Sequence, residues 1–143
     1  MKIAVVCANG KVGKLVVKEA MKRGLDVTAI VRGENKSLAE HTIIKDLFDL
    51  KKSNLDSFDT VVDAFGTWNP ESLPQHSTSL KKLCDLLSGT NKRLIVVGGA
   101  GSLYVNPENT LQLMDTPDFP DMFKPLASNM GKALEELRSR DDV

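Results

Sequence analysis

The start of the chain fixes what the rest must build: an apolar strand runs into a glycine turn and then a helix. Ile3-Ala4-Val5-Val6 leads into Cys7-Ala8-Asn9-Gly10-Lys11-Val12-Gly13. After the turn, Val12, Leu15, Val16 and Ala20 recur at three- and four-residue spacing, while Lys11, Lys14, Lys18, Glu19, Lys22 and Arg23 take the other face. That spacing predicts an amphipathic helix, stopped by Gly24. Its apolar stripe needs a sheet to lie on, and Leu25 to Val31 supplies a second, β-branched strand. Strand, helix and strand within about thirty residues make a parallel crossover unit.

In such a unit the glycines let the backbone turn sharply, so that amide N–H groups and the positive end of the helix face a pyrophosphate. Asn9, Gly10, Lys11, Val12 and Gly13 are therefore the candidate phosphate cradle of a dinucleotide site. Gly10 and Gly13 match the last two glycines of a G-x-x-G-x-x-G turn, but Cys7 stands at the first, where the turn is tightest. A tight strand-to-helix turn without a ligand is the alternative. An ATP-type phosphate loop fails, because Ala8 replaces its first glycine and Leu15 its magnesium-binding hydroxyl.

Further strands are expected at His41 to Lys45, Asp59 to Phe65 and Arg93 to Val97, each read as a short buried run. A helix capped by Ser77 or Thr78 should run through Leu80, Leu83, Cys84 and Leu87 to Gly89. Another should follow Pro125 with Leu126, Met130, Leu134 and Leu137 on one face. Alternating elements with right-handed crossovers predict an α/β fold of Rossmann type, a doubly wound parallel sheet of five strands in the order 3-2-1-4-5. At 143 residues and 41% hydrophobic content, residues 1–143 fit a single domain. Gly98 to Lys124 is long, carries Pro107, Pro117 and Pro120, and lacks periodicity, so it reads either as a substrate lid or as a disordered surface excursion.

Charge narrows the partners. Nineteen basic residues balance nineteen acidic ones, which gives no global field to draw nucleic acid or an anionic membrane. No apolar run is long enough to span a bilayer, and the two cysteines, far apart in sequence, suit a reduced compartment, so the expected address is cytoplasmic.

Past the second strand, where NAD enzymes place an acid to hold the ribose 2′-hydroxyl, this chain has Arg32. A guanidinium there suits a 2′-phosphate, so NADP(H) is preferred over NAD(H). Asp46 is placed to meet the adenine, and Ala64, Phe65 and Gly66 to line the ribose and nicotinamide. Catalytic groups are scarce. Ser102 and the only tyrosine, Tyr104, are weak candidates, and the residue four beyond Tyr104 is Glu108 instead of a lysine that would lower the phenol's pKa. His41 and His76 are too isolated for a metal cluster. Trp68 either stacks on a flat substrate or the nicotinamide, or anchors its loop.

The runs Cys7 to Gly13, Ala29 to Arg32, Asp46-Leu47, Val62 to Gly66 and Arg93 to Leu103 together resemble an atypical short-chain dehydrogenase/reductase. More narrowly, the chain resembles the bacterial NAD(P)H-binding proteins known as NADH-flavin reductases, related to the nitrogen-metabolite-repressor-like group. The resemblance implies NAD(P) binding by these segments, Leu47 among them. Members usually continue into a sixth strand, so this chain is expected to be C-terminally truncated or an unusual short form. Two functions follow: an NADPH-preferring oxidoreductase that passes hydride to a flavin or quinone-like acceptor, which is favoured, or a non-catalytic redox sensor recognised by a regulatory protein partner.

Overall fold

The computed structural model describes residues 1–143, whose backbone forms two compact units. The first comprises Met1–Gly66, Lys81–Val97 and Asp142–Val143; the second, Thr67–Leu80 and Gly98–Asp141.

The first unit holds all five strands: β1 (Lys2–Val6), β2 (Asp26–Val31), β3 (His41–Ile44), β4 (Thr60–Asp63) and β5 (Arg93–Val96). They form one parallel sheet in the order β3-β2-β1-β4-β5, the α/β Rossmann-type arrangement that the sequence predicts. Because β1 is central, its alternate side chains feed two cores. Ile3 and Val5 join Val17 and Ala20 of α1 (Lys11–Lys22) on one face. Ala4 and Val6 join Leu50, Leu55, Phe58, Leu83 and Leu87 on the other, where Leu55 ends the one-turn α2 (Lys52–Leu55) and Leu83 and Leu87 belong to α3 (Gln75–Leu87). Each such Val or Leu contributes about 1.5–3 kcal/mol on burial.

Helix α1 turns a different face inward from the one its apolar spacing suggests. Gly13, Val17 and Ala20 are buried, with Val16 partly so, whereas Val12 is 43% and Leu15 62% exposed. The reason is distance: the first turn lies so near the backbone of Cys7 and Ala8, just past β1, that the inward position accepts only glycine. Past the helix, Gly24 adopts φ +72°, its N–H donates to the Met21 carbonyl, and the Leu25 N–H donates to that of Ala20. This left-handed stop satisfies the last carbonyls and suits a residue without a Cβ.

Two other expectations need correcting. Only β4 is buried throughout; β3 and β5 are largely exposed or half-buried, because each is an edge with one neighbouring strand. Helix α3 begins at Gln75, ahead of Ser77 and Thr78, so neither caps it.

In the second unit, α4 (Lys124–Arg138) carries Pro125 in its first turn, where the missing N–H costs nothing. Its buried residues are the small Ala127, Gly131 and Ala133, while Leu126, Met130, Leu134 and Leu137 are only half-buried. Small residues are needed because the glycine-rich segment packs directly on the helix: a Cβ on Gly101 would lie 2.5 Å from the Ala127 Cβ. Beyond it, residues 103 to 113 fold into a small hairpin. Val105 N–H donates to Leu111 O at 2.9 Å, Leu113 N–H to Leu103 O at 2.8 Å, and the Asn106 Oδ1 accepts from the Thr110 and Leu111 amides at 3.0 Å each. Residues 103 to 113 are thus held by hydrogen bonds of their own.

Candidate functional site

The first unit sets its glycine turn against the end of β2. Cys7 N–H donates to Ile30 O at 3.0 Å, and Gly10 N–H folds back onto Cys7 O at 3.1 Å. Cys7 sits at φ +60°, the left-handed conformation that the first glycine of such a turn normally takes. The departure at Cys7 is therefore one of residue and not of backbone path. A cysteine there costs about 1–2 kcal/mol of conformational energy. Its side chain packs against the core on the Leu83 and Leu87 face, which offsets part of that cost. Gly13 is the tightest point: a Cβ on it would stand 2.3 Å from Cys7 O and 2.8 Å from the Ala8 Cα. Both are backbone atoms, so no side chain can yield.

What the turn presents is a bare helix start. Gly10 occupies the N-cap with no side-chain bond, the first turn of α1 holds no acid, and Lys14 N–H is the first amide to reach a helical carbonyl, at 2.9 Å. The N–H groups of Lys11, Val12 and Gly13 engage no acceptor in the chain. Three amides, the positive end of a twelve-residue helix and the nearby Lys11 and Lys14 make a place for an anion.

Around this turn the other predicted residues fall as follows. Arg32 is exposed just beyond β2 and takes part in no ion pair. Asp46 is half-buried and accepts Phe48 N–H at 2.9 Å, capping a one-turn helix at Leu47–Asp49. Leu47 itself is 5% exposed and lies in the core, so only its backbone is available to a ligand. Ala64 N–H donates to Val6 O at 3.2 Å, Phe65 packs on the same core, and Gly66 is open to solvent. Two features escape a reading of the sequence. One is the Asn9 side chain, which bridges to the loop after Arg32: Nδ2 donates to Glu34 O and Oδ1 accepts Lys36 N–H, both at 2.7 Å. The other is Asp63, buried at the end of β4, whose Oδ1 accepts Phe65 N–H at 2.9 Å and orders the segment after it. An acid two residues before a loop amide is a turn signal that was there to be read.

The thiol of Cys7 is held protonated. Burial, then the charge of Asp63, pushes its pKa up to about 12, with Arg32 pulling weakly the other way. It is a packed group and no nucleophile.

In the second unit, Ser102 is half-buried and Tyr104 exposed. The Ser102 carbonyl accepts from the Gln112 side chain at 3.2 Å, and Tyr104 bridges Gln112 through its backbone. No hydrogen bond joins either hydroxyl to a base.

A family model described as NAD(P)H-binding matches residues 7–141, nearly the whole chain. The chain belongs to this NAD(P)H-binding family. Among its relatives is the uncharacterised Bacillus subtilis protein YwnB, 43% identical over 146 residues that span all of this chain and 68% of that one. A solved Streptococcus pneumoniae protein, described as a "putative NADH-flavin reductase", superposes with a TM-score of 0.97 at 54% identity, over the full chain and 68% of its own. More distantly, a short-chain dehydrogenase/reductase superfamily protein of Agrobacterium tumefaciens, solved with bound NAD, gives a TM-score of 0.68 at 18% identity over 99% of this chain and 46% of its own. That last likeness is one of fold.

Membership in the NAD(P)H-binding family implies a nicotinamide cofactor for this domain. The open amides of Lys11, Val12 and Gly13 and the close approach at Gly13 are the features of the glycine turn that bear on where it would bind. No helix is long and apolar enough to cross a membrane.

Proposed function

We propose that the chain is an oxidoreductase that prefers NADPH and passes hydride to a flavin or quinone-like acceptor. One observation carries the reading: three unengaged amides open α1, with the unpaired Arg32 just past the neighbouring strand. The amides of Lys11, Val12 and Gly13 hold the pyrophosphate, and Arg32 takes the 2′-phosphate in a charge-assisted contact. Asp46 faces the adenine, with Asn9, Gly10 and Leu47 shaping the adenosine side through backbone. Ala64, Phe65 and Gly66 line the ribose and nicotinamide, in a path that Asp63 orders. When bound, the reduced nicotinamide supplies the hydride. A fused-ring acceptor draws its proton from water, so the lack of a base beside Ser102 or Tyr104 does not stop the reaction; alignment matters more. The flavin-reductase description of the Streptococcus relative supports this acceptor class.

A second reading is a redox sensor that binds the dinucleotide without turnover and offers its ligand state to a protein partner. The unassisted hydroxyls of Ser102 and Tyr104 favour it. One assay separates the two. Purified protein is incubated with NADPH and riboflavin or menadione, and loss of nicotinamide absorbance is compared with calorimetric titration of each cofactor. Oxidation above the protein-free rate supports the reductase, and tight binding with no oxidation supports the sensor.

A further inference from the structure

The sheet of the first unit ends differently at its two edges. Strand register puts Thr42, Ala29, Val5, Val62 and Ile95 in one row across it, on the face that α1 covers with Val17 and Ala20. Ala29 and Val5 are 0% and Val62 7% exposed, but Ile95, at the β5 end, is 45% exposed. At the β3 end the row closes on a polar residue, for the Thr42 hydroxyl receives Asn35 Nδ2 at 3.0 Å. The apolar row is finished on one side and cut off on the other.

The backbone of β5 is open along the same edge. Arg93 N–H donates to Asp59 O and Val97 N–H to Asp63 O, both at 3.0 Å, so alternate residues from Arg93 to Val97 turn their amides toward β4. Leu94 and Val96 therefore point N–H and C=O outward, and neither amide has an acceptor in the chain. Free amides and carbonyls beside exposed apolar side chains are a template for another strand. Val97, on the Ile95 face, adds a side chain that is 37% exposed.

We propose that β5 pairs with β5 of a second copy of this chain, antiparallel and centred on Ile95. In that arrangement Leu94 faces the partner's Val96, so the outward N–H and C=O of both residues exchange bonds on either side of a two-fold axis. Ile95 meets its own counterpart at a pair without hydrogen bonds, where Cα atoms approach to about 4.5 Å and side chains touch. The severed apolar row runs on into the second molecule, and one sheet passes through both. Charge sets the direction. Arg93 is the charged residue of β5, and antiparallel pairing puts it against the partner's Val97, whereas in-register parallel pairing would put two guanidiniums side by side.

Light scattering of the 143-residue chain across a concentration series should give a mass that rises to that of a dimer. Ile95→Lys and Ile95→Asp, each of which sets like charges together at the two-fold axis, should each run as a monomer with the circular dichroism of the parent. Mixed in equal amounts they should recover the dimer, because lysine then meets aspartate. Hydrogen exchange at the Leu94 and Val96 amides should be slower in the parent than in either variant, and the parent's melting temperature alone should climb with concentration. The parent's own series and exchange keep the test independent of how the variants fold. A parent that stays monomeric at every concentration overturns the proposal, whether the edge is bare or covered by a segment outside these residues. A dimer that survives both single variants, and so lies elsewhere on the molecule, overturns it too, as does a mixture that remains monomeric.

Discussion

The carboxamide of Asn9 reaches out of the glycine turn to donate to the carbonyl of Glu34, 25 residues on, at 2.7 Å. Its oxygen takes the Lys36 amide at the same distance, so one side chain ties the phosphate cradle to the loop that begins at Arg32. Asn9→Ala removes both bonds. At about 0.5–1.5 kcal/mol for each bond, unfolding stability should fall by roughly 1–2 kcal/mol in this exposed setting. NADPH affinity should fall more than NADH affinity, because the loosened loop carries Arg32. Denaturant melts paired with titrations of both cofactors test this; equal losses would place the effect in the cradle alone.

Arg32→Ala addresses specificity directly. A lost charge-assisted contact is worth about 1.5–3 kcal/mol, a roughly ten- to hundred-fold rise in the Kd for NADPH. NADH, which lacks the 2′-phosphate, should change by less than about threefold, within the few tenths of a kcal/mol of a neutral surface substitution. Parallel calorimetry of the two cofactors decides it.

Glycines at two contacts should prove intolerant of a methyl group. Gly13→Ala drives a Cβ to 2.3 Å from the Cys7 carbonyl oxygen, and Gly101→Ala drives one to 2.5 Å from the Ala127 Cβ. Overpacking of this kind costs about 1–3 kcal/mol, and Gly13 should lie at the upper end because its neighbours are backbone. Thermal melts should rank Gly13→Ala below Gly101→Ala, and both below Gly66→Ala, where a Cβ meets nothing within 4 Å.

Cys7 makes stability depend on alkaline pH. Its thiol is raised from an ordinary 9.0 to about 12 in the folded chain, first by burial and then by Asp63. Below pH 9 the thiol is protonated folded or unfolded, and its contribution is fully present. Above pH 9 the unfolded chain ionises while the folded one does not, so stability drains away as pH climbs toward 12. Cys7→Gly removes this titration and also relieves the left-handed φ of +60°. Urea midpoints between pH 8 and 11 should therefore fall less steeply for Cys7→Gly than for the parent, and parallel curves would refute the account.

Much of the sheet was legible, because β-branched runs, a glycine turn and right-handed crossovers leave few ways to order five parallel strands. Helix faces were harder. Counting large apolar residues pointed to Val12 and Leu15 on α1 and to Leu126 and Met130 on α4, yet the surfaces in closest contact belong to Gly13, Ala127, Gly131 and Ala133. Small residues carry little hydrophobic signal, and they are what close approach demands. The hairpin at residues 103 to 113 was illegible for another reason. Backbone pairs and the Asn106 side chain hold it, and neither imposes a periodic pattern. At the site, Arg32 and the cradle could be read from position in the crossover unit. The Asn9 bridge and the Trp68–Phe123 pair could not, since each joins residues that only the folded chain brings together.

The central strand meets its two partners at very different times. Ile3 pairs with Val27, which emerges soon after it, but also with Thr60, which follows much later along the chain. Closing that long excursion must precede the reward of its hydrogen bonds, so the β1 and β4 pairing should govern the rate of folding. During synthesis, one flank of the innermost ribbon stays bare until Thr60 to Asp63 have left the ribosome.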